Sequence, residues 1–334
     1  MLYITTRNNR DAYTAPRALA ENRGPDGGMY LPFRAPFFTF EDLEAMALQS
    51  FGQTVAKTMN LLLGTSLTAW DIEFAAGRAP VRMRQLPHQI IVAELWHNPR
   101  EEYAGLERSL SSLVRQGEPQ GWVRLAIRAA VLCGIYGQLR RQGIPGAELV
   151  LLAGDFAGSM AAWYARQWGL GIGSIVSVCN ENRELWNLLT HGQLRTDAVC
   201  VNTPVPQADV AVPEELERLV YEGGGASEVQ RFLDICRRGG VYCPDDAVMA
   251  RMSRGMKVSV VSTHRIYDTI PGAYRTHSYL LSSEGALVYG GLLDFRAKSH
   301  VTSWAVMLED RSPMLEKQMI AQLLDVPESE LIHM

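Results

Sequence analysis

The stretch from Leu149 to Asn182 constrains the fold of this chain more than any other. It reads LVLLAGDFAGSMAAWYARQWGLGIGSIVSVCNEN. The apolar run Leu149–Leu152 predicts a strand buried on both faces. Helix formers with apolar spacing follow over Met160–Trp168, and Gly169 is placed to end that helix. Because Ile175–Val178 predicts a second strand, the segment indicates a parallel strand–helix–strand unit and an α/β fold.

The turn between the first strand and the helix is a candidate binding site. A tight turn at a helix N-terminus directs several backbone N–H groups to one point, at the positive end of the helix dipole, and this is how proteins hold phosphate. A purely structural glycine turn is an equally good interpretation, because many α/β folds share this geometry. The candidate cofactor-binding residues are Gly154, Asp155, Phe156, Ala157, Gly158 and Ser159.

Several motifs in this chain occur in the same order in one enzyme family. Residues 154–182 resemble the threonine synthase segment that runs GNFGD, AGYYAKKMGLPI and NEND. The other matches are Met1–Arg7 with MxYxSTRG, Gly24–Pro32 with GLAPDGGLYVP, Glu94–Pro99 with ELFHGP, and Leu216–Tyr221 with NFERLLY. The resemblance implies an α/β core of the tryptophan-synthase-β type, which is pyridoxal-phosphate (PLP) fold type II, with a helical N-terminal unit.

The resemblance fails at the residue that matters most for catalysis. In threonine synthases HGPTLAFKD follows ELF, and its lysine forms the Schiff base with the cofactor. Ungapped alignment places Ala104 at that lysine, and alanine has no amine. The remaining lysines lie far from this motif; they are Lys57, Lys257, Lys298 and Lys317. No catalytic residue is therefore predicted.

The resemblance also implies that one lobe is strongly reduced. The family has a long segment between the Schiff-base lysine and its INWARI motif, including the SGDTG loop and several strands of the smaller lobe. Here Leu106–Gln120 has room for one helix and a turn. We therefore predict an N-terminal unit over residues 1–82, a remnant of the lysine-bearing region over 83–120, and the α/β core over 121–334.

Other family signatures are eroded. Ser282–Leu287 stands where the family has DPHTAVG, and Leu308–Pro313 stands where it has TAHPAKF. In the phosphate loop, Asp155 replaces asparagine and Ala157 replaces glycine. Because a carboxylate repels phosphate, we favour a helix-capping role for Asp155 over ligand contact.

Apolar periodicity predicts further elements. Helices are expected from Phe40, over Val55–Leu63 and over Trp122–Gln142, and late strands over Tyr279–Leu281 and Trp304–Leu308. The glycine-rich run Gly223–Ser227 predicts a loop between helices.

Two other features have an ordinary structural interpretation. His97 suggests a general base, but a structural role is favoured. Glu101 and Glu102 suggest a carboxylate pair, but acids at the start of a solvated helix explain them better.

Composition excludes some classes of function. The formal net charge of -4 argues against a nucleic-acid or membrane surface. We see no signal peptide and no apolar run of the roughly 18 residues that a membrane span needs. The five scattered cysteines suggest reduced thiols and a cytoplasmic location, and no pair has zinc-site spacing.

Three functions remain open at this point. The first is a pseudoenzyme that has lost PLP-dependent catalysis and binds a phosphorylated small molecule or a partner protein. The second is an active lyase, converting phosphohomoserine to threonine with PLP held by a non-standard lysine. The third is a structural or regulatory partner of a true synthase. A covalent cofactor is expected only for the second function, and the candidate partners are a second copy of this chain or another enzyme.

Overall fold

A six-stranded sheet forms the centre of the protein, and the alternation of apolar residues along its strands fills two cores. The computed structural model describes residues 1–144, 146–300 and 302–331. The strands are β1 (Leu2–Thr5), β2 (Tyr13–Thr14), β3 (Tyr30–Pro32), β4 (Arg82–Leu86), β5 (Ile90–Glu94), β6 (Ala147–Leu152), β7 (Ile172–Cys179), β8 (Leu194–Arg195), β9 (Val241–Tyr242), β10 (Met256–Val260) and β11 (Ala305–Glu309).

Helices surround this sheet and make up most of the N-terminal region. They are α1 (Ala15–Ala20), α2 (Phe40–Leu48), α3 (Phe51–Leu63), α4 (Ala69–Ala76), α5 (Tyr103–Ser111), α6 (Gly121–Arg141), α7 (Ala157–Gln167), α8 (Glu184–His191), α9 (Leu216–Arg238), α10 (Asp246–Met252), α11 (Thr263–His277), α12 (Ser283–Ser299), α13 (Lys317–Leu324) and α14 (Glu328–Leu331), with short 3-10 turns at Pro206–Ala208 and Pro313–Glu316. None of these helices combines the length and the apolar composition that crossing a bilayer demands.

The central sheet has the strand order β10-β7-β6-β11-β5-β4, in which only the edge strand β4 is antiparallel. Its two faces bury alternate residues, as the pleat of a strand requires. In β6, for example, Leu149 and Leu151 pack with α6 and α7 in one core, whereas Val150 packs with α12 in the other. In such sheets ligands bind beyond the carboxyl ends of the strands.

Sequence patterns correctly located the first strand–helix–strand unit, which is β6, α7 and β7. They also located α2, α3, α6 and β11 to within a few residues. Local chemistry explains the accuracy at α2, because Thr39 and Asp42 form a reciprocal capping box at its N-terminus. Between β5 and α6 the structure has one helix, α5, and a turn, as predicted for Leu106–Gln120.

One predicted strand was wrong, and one predicted loop is shorter than expected. Residues 279–281 have no regular secondary structure, because Ser282 caps α12 immediately afterwards. At Gly223–Ser227, where a loop between helices was predicted, two helical segments of α9 meet at a kink, and the break is confined to Gly225, with φ of 73°. The sequence patterns also missed the hairpin of β4 and β5. The division into residues 1–82, 83–120 and 121–334 stays a prediction, and its last three residues lie outside the described ranges.

Candidate functional site

A cavity of about 290 Å³ opens beyond the carboxyl ends of β6 and β11. The turn after β6, the residues after β11 and the N-terminal turns of α5, α6 and α12 all contribute to it. Its charged lining residues are Glu102, Glu107, Arg124, Arg128, Asp155, Glu284, Asp310 and Arg311. The chain thus brings eight charged side chains together at the place where α/β sheets hold ligands.

The predicted phosphate loop lies partly on this cavity. Gly154 and Asp155 line it, whereas Phe156, Ala157, Gly158 and Ser159 are buried and do not. Gly154 has φ of 47°, and a Cβ there would lie 2.9 Å from the carbonyl oxygen of Gln207. A glycine is therefore required at the start of the loop.

The Asp155 side chain contacts the N-terminus of α7, the helix that follows it in the chain. Its Oδ1 accepts the Ala157 backbone N–H at 3.1 Å, and its Oδ2 accepts from Arg124 Nη1. Burial acts to raise the pKa of Asp155, but the charges of Arg128 and Arg124 and the Ala157 N–H hold that pKa below its usual value. An internal carboxylate therefore occupies the positive end of α7, which agrees with the capping role expected for Asp155.

The next two backbone N–H groups of α7 belong to Gly158 and Ser159. Among the described residues, no carbonyl or side-chain oxygen accepts from either group. Both residues are buried, and neither lines the cavity. The Ser159 hydroxyl instead pairs with that of Ser177 at 2.7 Å.

Ala104 lies in the first turn of α5 and lines the same cavity as Gly154 and Asp155. Ala104 and the two residues of the predicted phosphate loop therefore share one cavity. All four lysines are more than a third exposed, and none lines the cavity. Lys57 borders a different hollow and pairs with Asp42 at 3.0 Å.

Sequence reasoning missed the arginines that cross the site. Arg124 and Arg128 lie one turn apart on α6, in the stretch Trp122–Tyr136 that is otherwise apolar and buried. Arg128 Nε donates to Glu107 Oε1 at 2.5 Å, and Arg124 Nε lies 3.4 Å from the same oxygen. Two charges one turn apart inside an apolar helix were the available signal, because such residues are seldom buried unless they are paired.

Two residues that follow β11 belong to the segment Leu308–Pro313, which stands in place of the TAHPAKF motif and for which the sequence predicts no role. Asp310 and Arg311 line the cavity, and Arg311 pairs with Glu102 at 3.2 Å. Glu102 is the N-cap residue of α5 and about a third of its side chain is exposed, as expected for a helix start, but it also lines the cavity. The rule that ligands gather at strand ends would have identified these residues.

A second group of acids lies just behind the cavity wall, at the ends of β5 and β11. Glu94 and Glu309 face each other across these strands, and both contact the Tyr279 hydroxyl, at 3.0 and 2.6 Å. Glu309 also accepts the Ser282 backbone N–H at 3.1 Å. Burial raises the pKa of Glu309 to about 8. Since one hydroxyl has one proton, the pair is satisfied when Glu309 is itself protonated.

His97 belongs to this second group and does not line the cavity. Its Nε2 lies 2.6 Å from Glu94 Oε2. The histidine therefore anchors the end of β5, in keeping with the structural role favoured for it.

Comparison with known proteins connects this architecture to one fold. A family model described as the threonine synthase N terminus matches residues 2–79. The structure is similar to that of a PLP-bound threonine synthase from Brucella melitensis, with a TM-score of 0.87 and 16% identity over 98% of this chain and 92% of that one. It is also similar to threonine synthase from yeast, with a TM-score of 0.86 and 14% identity over 97% of this chain and 90% of that one.

Threonine synthase from Escherichia coli gives a TM-score of 0.76 and 12% identity over 98% of this chain and 92% of that one. Identities this low report on the fold. The chain therefore has the fold of threonine synthases, PLP fold type II, with a threonine synthase-like N-terminal region. The resemblance carried by the sequence motifs is confirmed.

Proposed function

We propose that this threonine synthase-like protein is a pseudoenzyme that has lost PLP-dependent catalysis. The observation that carries the proposal is the position of Ala104 on the wall that it shares with the phosphate-loop residues Gly154 and Asp155. A Schiff-base cofactor requires an amine at that position, because the lysine is both the covalent tether and a proton carrier.

The other residues of the cavity do not fit the cofactor either. The positive end of α7, which would receive a phosphate, already binds the Asp155 carboxylate. Arg124 and Arg128 are paired with Asp155 and Glu107, so neither guanidinium is free to neutralise a dianion. We therefore favour a pseudoenzyme that does not bind a phosphorylated small molecule over one that does, because the Asp155 carboxylate already occupies the phosphate loop.

The active-lyase alternative requires a lysine to reach the cavity. Each of the four is exposed on another part of the molecule, and two of them, Lys57 and Lys317, pair with surface carboxylates at 3.0 and 3.5 Å. Moving one of these lysines into the site would require refolding of the element that carries it. This makes the alternative the weaker one.

A role as a non-catalytic partner is the second candidate function. Several large aromatic side chains of the N-terminal region are more than half exposed, and exposed apolar surface often marks a protein contact. These side chains are Phe33, Phe37, Phe40, Trp70 and Phe74. Light scattering of the protein alone, and mixed with a threonine synthase, distinguishes a homo-oligomer, a complex and a monomer.

We place the protein in the cytoplasm, since all five cysteines are free thiols.

The test of the pseudoenzyme uses purified protein and PLP. We expect no visible absorption band that borohydride abolishes, and no phosphate release from phosphohomoserine, in an assay where an authentic threonine synthase gives both. A reducible adduct on any of the four lysines, together with steady turnover, would refute the proposal.

A gain-of-function variant sharpens this test. The double substitution Ala104→Lys with Asp155→Asn restores an amine to the cavity wall and removes the competing carboxylate. We expect this variant to form a reducible PLP adduct at residue 104, located by peptide mass spectrometry. Ala79→Lys, at an exposed position outside the cavity, is the matched control for non-specific labelling.

A further inference from the structure

The ion pairs of the cavity leave an excess of acid. Five carboxyl groups and three guanidinium groups line it. Asp155 pairs with Arg124, Glu107 pairs with Arg128, and Glu102 pairs with Arg311. Once every arginine is matched with one of these carboxylates, Glu284 and Asp310 remain.

Both remaining acids have unused acceptor capacity. Glu284 lies in the first turn of α12 and is only 3% exposed, yet its carboxyl group makes no hydrogen bond or ion pair within the described residues. Asp310 Oδ1 is likewise buried and has no hydrogen-bond partner there. A buried acceptor without a partner, such as Asp310 Oδ1, is costly and is normally satisfied by a hydrogen-bond donor. Glu284 lines the same cavity as Asp310.

We propose that this cavity binds a small organic cation with a primary ammonium group, held by the carboxylates of Glu284 and Asp310. This rests on the proposed function, because it gives the former cofactor site a ligand of the opposite charge. An ammonium group supplies three N–H donors and no acceptor, which complements two acceptor-only side chains. A volume of about 290 Å³ lies at the lower end of ligand pockets and suits a molecule of metabolite size.

Charge favours a cation over the phosphorylated ligands of related enzymes. With every group ionised the lining carries two more negative than positive charges. A monocation or diamine offsets this excess, whereas a phosphate dianion doubles it. The same reasoning predicts that inorganic phosphate does not compete with the cation.

Binding is coupled to protonation of the two acids. Glu284 faces Asp310 and Arg311 after β11, Glu316 in the following turn and Glu102 at the start of α5, and burial raises its pKa to about 8. Asp310 faces Arg128 and Arg124, which lower its pKa, and Glu107 and Asp155, which raise it. Burial is the largest effect and raises the pKa of Asp310 to about 6. A bound ammonium stabilises both carboxylates and lowers their pKa values, so binding releases protons and tightens from pH 6 to pH 8.

Calorimetric titration of the intact protein with 1,4-diaminobutane at pH 6, 7 and 8 tests the proposal. We expect an affinity at least tenfold higher at pH 8 than at pH 6, and proton release measured from two buffers of different ionisation enthalpy. The neutral isostere 1,4-butanediol is the control ligand and should not bind. Butylamine, magnesium chloride and sodium phosphate complete the series.

Three variants localise the binding. Glu284→Gln and Asp310→Asn keep the side-chain shape and should each weaken diamine binding by tenfold or more, the size expected when a charged hydrogen bond is lost. Glu330→Gln removes one exposed carboxylate elsewhere and should bind as the wild type does. Circular dichroism confirms that the variants are folded, and the pH dependence of the wild-type protein is a readout that needs no variant.

The outcomes separate the two proposals. Absence of amine binding at pH 8, equal binding by Glu284→Gln, or tighter binding of magnesium or phosphate would overturn the cation site while leaving the pseudoenzyme intact. A reducible PLP adduct with turnover would overturn the pseudoenzyme, and amine binding would then belong to an active enzyme.

Discussion

Replacing Glu309 by glutamine tests the buried acid pair with a single atom. The Tyr279 hydroxyl oxygen lies 3.0 Å from Glu94 and 2.6 Å from Glu309. When Glu309 is protonated, its carboxyl group donates to the Tyr279 oxygen and the Tyr279 hydroxyl donates to Glu94. Glutamine reproduces this chain, because its amide N–H replaces the acid O–H and its oxygen still accepts from Ser282. Glu309→Gln therefore mimics the protonated form of Glu309 at every pH.

The sign of the pH effect follows from the raised pKa. Folded Glu309 titrates at a pKa of about 8, against an ordinary value of 4.5. Between these values the folded protein keeps a proton that the unfolded chain releases, so the free energy of unfolding falls as the pH rises. One proton corresponds to about 1.4 kcal/mol per pH unit, or on the order of 4 kcal/mol between pH 5 and pH 8.

Urea denaturation at half-unit intervals from pH 5 to pH 8 measures this effect. The two proteins should differ by less than about 1.5 kcal/mol at pH 5. With rising pH the variant should become progressively the more stable of the two. Glu284 and Asp310 add their own pH dependence, but it is present in both proteins and cancels in the difference.

A proton count provides an independent check. Near pH 6.5 the wild type should release about one more proton on unfolding than the variant does, as measured with an indicator dye. Glu330→Gln, which removes an exposed carboxylate, should follow the wild type. Parallel stability curves for wild type and Glu309→Gln, with equal proton release, would refute the assignment of the buried proton to Glu309.

Two further predictions concern packing and the charge network. Trp122→Ala should lower the free energy of unfolding by about 3 to 5 kcal/mol, because the indole is fully buried and donates to the Leu62 carbonyl, whereas Trp70→Ala at an exposed site should cost less than about 1 kcal/mol. Arg128→Met should lower the free energy of unfolding by about 3 kcal/mol, because it leaves the buried Glu107 with only the longer contact to Arg124. The second substitution Glu107→Leu should restore much of this stability, because it removes the unpaired carboxylate. Urea denaturation measures both, and a double variant less stable than Arg128→Met would contradict the second prediction.

The sequence alone determined the features that depend on neighbouring residues. Side chains a few positions apart produce the capping box of Thr39 and Asp42 and the strand–turn–helix unit around Gly154. Both features can therefore be recognised in the sequence. The replacement at Ala104 is equally local, since an absent amine is visible in the residue itself. The fold class and the proposed loss of catalysis were inferred from these local features.

Only the tertiary structure decided which charged side chains line the cavity and which of them form ion pairs. Asp155, Glu284 and Asp310 come from three separate segments, and the sheet order places β11 between β5 and β6 so that their ends converge. Which carboxylate meets an arginine, and which remains unpaired, depends on distances and burial that no sequence interval encodes. Propensity acts through adjacent residues, whereas desolvation and charge pairing act through space.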